Sequence, residues 1–121
     1  LAQWKGTVRR EWPQVALQVE GPREGQLAIG QPVNVTALAK LGALRPDDVR
    51  IELVSGRDMD GHLREVRVEP MERAAKAEGG LYRYTGRLQP DASGSLVYGV
   101  RAVPHHPGLP HPHELGLARW G

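Results

Sequence analysis

Four of the five histidines lie in the last stretch of the chain, "YGVRAVPHHPGLPHPHELGLARWG". His105, His106, His111 and His113, with Glu114 beside them, are residue types that bind zinc. The spacing argues against a site. Pro104, Pro107, Pro110 and Pro112 hold the segment extended and limit how the imidazoles can converge. No thiolate is available, because the chain has no cysteine, and no HExxH spacing is present. No metal is expected here. A second candidate is "RDMDG", where Asp58 and Asp60 precede Gly61 as acids do in a calcium loop. With Gly61 in the sixth position, Gly56 and Arg67 fall where such a loop needs its first and last acids. A tight hairpin turn at Asp60-Gly61 is the expectation instead. Tyr82 and Tyr84 have the chemistry of a sugar-stacking platform, yet they share a face with Leu88, which is core spacing. Nothing assembles a catalytic set: there is no Gly-x-Ser-x-Gly, no glycine-rich phosphate loop and no Cys–His pair. Asn34-Val35-Thr36 matches a glycosylation acceptor, which has meaning only in a secreted chain.

The elements that must position these residues change period once. Leu1, Trp4, Val8 and Trp12 fall on one helical face, and Pro13 stops that helix. The helix starts without a capping residue and without Met, so a continuation from a preceding body is expected. Beyond it the pattern alternates. "VALQVEG" is a short strand, and "PVNVTALAKLG" places Val33, Val35, Ala37, Ala39 and Leu41 on one face, with Leu38 the exception on the other. "VRIELVSG" points Val49, Ile51 and Leu53 inward and Arg50 and Glu52 outward. "LREVRVEPM" is a fourth strand, with Pro70 at an edge or bulge. "ERAAKAE" reads equally as strand or short helix, and "LYRYTGRL" and "SLVYGVRAVP" are the last strands. The organisation expected is a linker helix over 1–13 and, over 14–121, an all-β, immunoglobulin-like antiparallel sandwich of about seven strands.

Composition bounds the rest. The 121 residues suit one domain with its own core. Abundant Gly (15) and Pro (10) suit strands joined by turns rather than a helical bundle. The formal charge is only +2, and Arg50, Arg67, Arg83, Arg87 and Arg101 are scattered on what should be solvent faces, so nucleic acid is not an expected partner. No apolar run approaches the roughly twenty residues of a membrane span. With no cysteine, a reducing cytoplasm is the expected compartment.

"LAQWKGTVRREWPQV" and "LGALRPDDVRIELVSG", taken with the tail, resemble the C-terminal part of bacterial α-glucan phosphorylases of the long type, glycosyltransferase family 35. Tyr98, Val100, Arg101, Pro104, His106, Pro107, Glu114, Leu115, Gly116, Leu117 and Trp120 carry the likeness. The resemblance implies a parent enzyme that transfers glucosyl units between α-1,4-glucan and phosphate. It implies pyridoxal 5′-phosphate held by a lysine of a two-lobed catalytic body, which this sequence does not contain. Lys5, Lys40 and Lys76 are the only lysines and match no cofactor motif, so no catalytic or cofactor residue carries over. Three roles follow as expectations: an accessory domain packed on its parent's catalytic body, an α-glucan-binding module, or an independent interaction sandwich. Leu1, Trp4, Val8, Trp12 and Trp120 are the expected interface residues, and Tyr82 and Tyr84 the sugar contacts if the second role holds.

Overall fold

The change of hydrophobic period at Pro13 is where the backbone changes course. A computed structural model describes residues 2–21, 30, 32–89, 95–109 and 115–121. Helix α1 spans Ala2–Glu11, with Arg9 and Arg10 in its last turn, where cations favour the helix dipole. A 3-10 turn, Trp12–Gln14, carries Pro13 in its first turn and hands the chain to the sheets.

Eight strands follow among the described residues: β1 (Ala16–Glu20), β2 (Val33–Lys40), β3 (Val49–Met59), β4 (His62–Pro70), β5 (Glu72–Lys76), β6 (Tyr82–Leu88), β7 (Ser95–Pro104) and β8 (Arg119–Trp120). They form two four-stranded sheets, ordered β1-β2-β6-β5 and β4-β3-β7-β8. Every pairing is antiparallel. The count exceeds the expected seven because the tail supplies β8, while the ambiguous "ERAAKAE" supplies β5. Pro70 closes edge strand β4, where a missing N–H costs no ladder bond. Asp60 and Gly61 take φ of 56° and 78° between the paired Met59 and His62, the positive-φ pair of a two-residue hairpin turn.

The core is the inner face of both sheets. Val35, Ala37 and Ala39 of β2, Ile51 and Leu53 of β3, Tyr84 and Leu88 of β6, and Val100 and Ala102 of β7 form one cluster. Val8 and Trp12 belong to the same cluster, so the helix is part of the core and not only a lead-in. Burying each large apolar side chain is worth about 1.5–3 kcal/mol. Gly86 lets the sheets approach, since a Cβ there would lie 3.1 Å from Leu53 and 3.2 Å from Met71.

One expectation needs correction. Glu52 and Arg101 lie on the outer face of their sheet, as the alternation requires, but neither is a solvent charge. Glu52 is 3% exposed. The Arg101 Nε–H donates to its Oε1 at 2.8 Å, and Arg50 lies 3.8 Å from its other oxygen. The Trp120 ring stands 5.6 Å from the Arg101 guanidinium. Strand β8, pairing Trp120 with Arg101, adds a cover that β3 and β7 alone do not reveal.

Tyr84, like Trp12 at its Nε1, buries a polar atom that has no partner among the described residues. Its ring is buried, and its hydroxyl has no hydrogen-bond partner among the described residues. Burial raises its pKa above the ordinary 10.0; Arg73 opposes that, and Tyr82 and Asp47 add to it. Tyr84→Phe should therefore raise stability by about 1 kcal/mol near neutral pH, because it removes an unpaired buried polar group. The sign with pH is fixed too. A phenol with a raised folded pKa favours the folded state less and less as pH rises from 10 through the folded value. Urea unfolding across pH 7 to about 11.5 should show a shallower alkaline loss in Tyr84→Phe than in the parent sequence. A destabilised variant at neutral pH would contradict this account of the hydroxyl.

Candidate functional site

The apolar stripe of α1 divides into two halves. Val8 and Trp12 are buried between helix and sandwich, at 0% and 4% exposure. Trp4, one turn nearer the start, is half-buried. Leu1 lies outside the described residues. The turn before β3, Pro46–Asp48, receives Trp4. The Trp4 Nε1–H donates to Asp48 Oδ1 at 3.0 Å, while the backbone N–H of Arg45 donates to Asp48 Oδ2 at 2.9 Å. One carboxylate thus caps a turn and holds the helix. The backbone carbonyl of the same Asp48 accepts the N–H of His105 at 2.9 Å, tying in the tail.

The His106 side chain takes a structural part. The His106 ring lies 4.8 Å from the Trp4 ring, and its Nδ1 accepts the N–H of Gly108 at 2.9 Å. That bond turns the chain after Pro107. His111, His113 and Glu114 lie outside the described residues. Among the described residues, no three His, Cys, Asp or Glu side chains come together as metal ligands would. Tyr82 is partly buried against the core, and Tyr84 lies inside it, so the two do not form an exposed flat platform. Trp120 is the expected interface residue that stays open, at 54% exposure, with its ring flat over Gly99.

The three lysines lie apart in the fold. Lys76 lies over the Tyr82 ring at 5.9 Å, Lys40 is exposed at the end of β2, and Lys5 is on α1. A cleft of about 280 Å³ beside β4 holds Arg57, Arg67 and Arg87, but Glu65 and Glu69 line it as well. Arg57 is already paired with Glu65 at 3.1 Å. A phosphate cradle gathers backbone N–H groups and one sign of charge, and this cleft does neither.

The family profile described as "Glycogen phosphorylase C-terminal domain" matches residues 12–121. The chain belongs to this family. Curated relatives agree. The maltodextrin phosphorylase of Thermococcus litoralis is 28% identical over 99% of this chain. The glycogen phosphorylases of Mycobacterium bovis and Mycobacterium tuberculosis are 30% and 29% identical over 97% of it. The chain spans 14% of the length of each of these relatives. As a glycogen phosphorylase C-terminal domain, it gives its tail motif a physical meaning. Val100 and Pro104 are fully buried, Leu115 is nearly so, Leu117 packs against the core, and Gly116 takes φ of 67°. Arg101 binds Glu52 and lies against the Trp120 ring, and His106 faces Trp4. Glu114 of the motif is not among the described residues.

Sequence reasoning missed Asp48 and Glu52. Asp48 had a signal: Arg-Pro-Asp-Asp before a strand puts Pro at the first and Asp at the third position of a capped turn. Its link to Trp4 had none. Asp48→Ala should cost about 1–2 kcal/mol of stability, as the loss of a cap and a charged acceptor does. The emission of Trp4 should shift to the red, as compared with a Trp4→Phe reference. An unchanged urea midpoint and spectrum would show that the corner does not hold the helix.

Proposed function

We propose that this chain is a non-catalytic accessory domain of an α-glucan phosphorylase. Its parent would transfer glucosyl units between α-1,4-glucan and phosphate to give glucose 1-phosphate, using pyridoxal 5′-phosphate held in a separate catalytic body. The observation that carries the reading is the pairing of a family match over 12–121 with a span of only 14% of the relatives' length. What those relatives are named for needs far more chain than this one. The fold supports it: both outer sheet faces and the β4 edge are built for packing or solvent, not for holding a reaction centre.

The strand order supports an immunoglobulin-like reading. Lettered in chain order as A, B, C, C′, D, E, F and G, the sheets become A-B-E-D and C′-C-F-G. Such sandwiches serve as spacers and docking modules in many larger proteins. The division into a helix over 1–13 and a sandwich over 14–121 then marks where the body would lead in, although Val8 and Trp12 already belong to the sandwich core. No described helix is long and apolar enough to cross a membrane, and a cytoplasmic site of action fits the relatives' chemistry. Sugar binding through Tyr82 and Tyr84 fits less well, because Tyr84 would have to leave the core.

The test compares this 121-residue chain with the full polypeptide that contains it. With glucan and phosphate, the full polypeptide should release glucose 1-phosphate and show the cofactor's absorbance band. The 121-residue chain should do neither, and amylose resin should not retain it. Retention that Tyr82→Ala abolishes without unfolding would turn the reading toward a glucan-binding module.

A further inference from the structure

An antiparallel sandwich buries one face of each sheet and shows water the other. The two outer faces of this chain differ. On the β1-β2-β6-β5 sheet the outward positions are Gln18, Glu20, Asn34, Thr36, Arg83 and Thr85, with Leu38 the apolar exception, which is an ordinary solvated surface. On the β4-β3-β7-β8 sheet the outward charges Arg50 and Arg101 are drawn in to Glu52, and an apolar strip lies beside them. Register places Val54 of β3 opposite Val68 of β4 on one side and Gly99 of β7 on the other. Trp120 lies over Gly99, so this row is apolar from edge to edge.

Strand β4 makes the point most sharply, because its polarity is inverted. Its core-side positions Arg67 and Glu69, opposite Ser55 and Leu53, are charged and line the 280 Å³ cleft. Its outward positions are Leu63, Val66 and Val68, exposed to 52%, 50% and 43%. A one-residue change of register would bury these side chains, so the observed register exposes them by choice of the fold. The inward charges, a bulge and Pro70 guard this edge against stray pairing, and they leave its apolar side chains facing outward.

We propose that the outer face of the β4-β3-β7-β8 sheet, centred on Val66, Val68 and Trp120, docks on the catalytic body of the same polypeptide. The proposal rests on the accessory-domain reading above and adds which surface is used. The occupant follows from size and connection. Four half-exposed side chains offer roughly a few hundred Å² of apolar surface. A free-standing complex, such as a pair of copies of this chain, needs about 800 Å² per partner. A covalently attached body needs less, because linkage supplies an effective concentration of the order of millimolar. The matched region is 14% of the relatives' length and is described as C-terminal, so a large body precedes it in them.

Single cysteines placed in the full polypeptide test this, with alkylation rates read on the substituted peptide by mass spectrometry. Val66→Cys and Val68→Cys probe the apolar face, Gln18→Cys and Asn34→Cys the polar face, and Arg9→Cys the helix. All five positions are exposed in the structure, so an uncovered chain would label them alike. The expected result is labelling about tenfold slower at Val66→Cys and Val68→Cys than at the other three, unchanged on dilution. If the protection fades on dilution as a dimer dissociates, the occupant is a second copy and the proposal fails. If Gln18→Cys, Asn34→Cys or Arg9→Cys is the slow site, the surface is wrong while the accessory-domain reading stands. If all five label alike, the domain is undocked and both are overturned.

Discussion

The carboxylate of Asp48 is where three parts of the chain become one body. It accepts the indole N–H of Trp4, 44 residues earlier, and the backbone N–H of Arg45, which closes the turn before β3. The backbone carbonyl of Asp48 accepts the first N–H after β7. The Trp4 indole N–H finds its partner here, whereas that of Trp12, deeper in the core, has none among the described residues. Once Trp4 is fixed there, the helical spacing brings Val8 and Trp12 down onto the sheets, and His106 closes over the outer side of the Trp4 ring. Helix, corner and tail are therefore consequences of one another.

A second polar anchor works on the opposite face of the same sheet. Taking Glu52 out of water costs several kcal/mol unless its oxygens are matched, and Arg101 and Arg50 match them. The geometry specifies the position of β8 more than it adds stability. Trp120 pairs with Arg101 in the ladder, and Gly121 donates to the carbonyl of Val100 at 2.9 Å, close against Leu17 and Val19 of β1. The last three residues so reach from one sheet to the other and close the sandwich. They also leave the face of Trp120 open over Gly99, in the row that runs through Val54 to Val68.

The sequence shows its architecture wherever period carries the information. The alternation of β2 marks Val35, Ala37 and Ala39, all fully buried, and Asp60-Gly61 marks a turn that forms. Information is lost where position depends on residues far apart in the chain. The contact of Arg101 with Trp120 depends on a two-residue strand too short to have a period. The histidines of the tail carry a metal's residue types, and only Trp4, about a hundred residues away in the chain, shows what His106 is for. In "LREVRVEP" Val66 and Val68 alternate with charges, and a bulge brings Leu63 to their side, but period alone does not say which side is inward; sheet stacking decides that, and it places Arg67 and Glu69 toward the core. Family resemblance placed the chain among phosphorylase C-terminal domains, while the proposed docking face had to come from the register.

The account stands or falls on helix, corner, sandwich and tail being one cooperative unit. Native-state amide hydrogen exchange measures this directly. Amides of the last turn of α1, around Val8 to Glu11, should open with the same free energy as those of Val100 to Ala102 at the centre of β7, and with the same dependence on denaturant. If the helix amides instead exchange orders of magnitude faster, with little denaturant dependence, α1 is a separately fraying appendage and the Asp48 junction does not organise the domain.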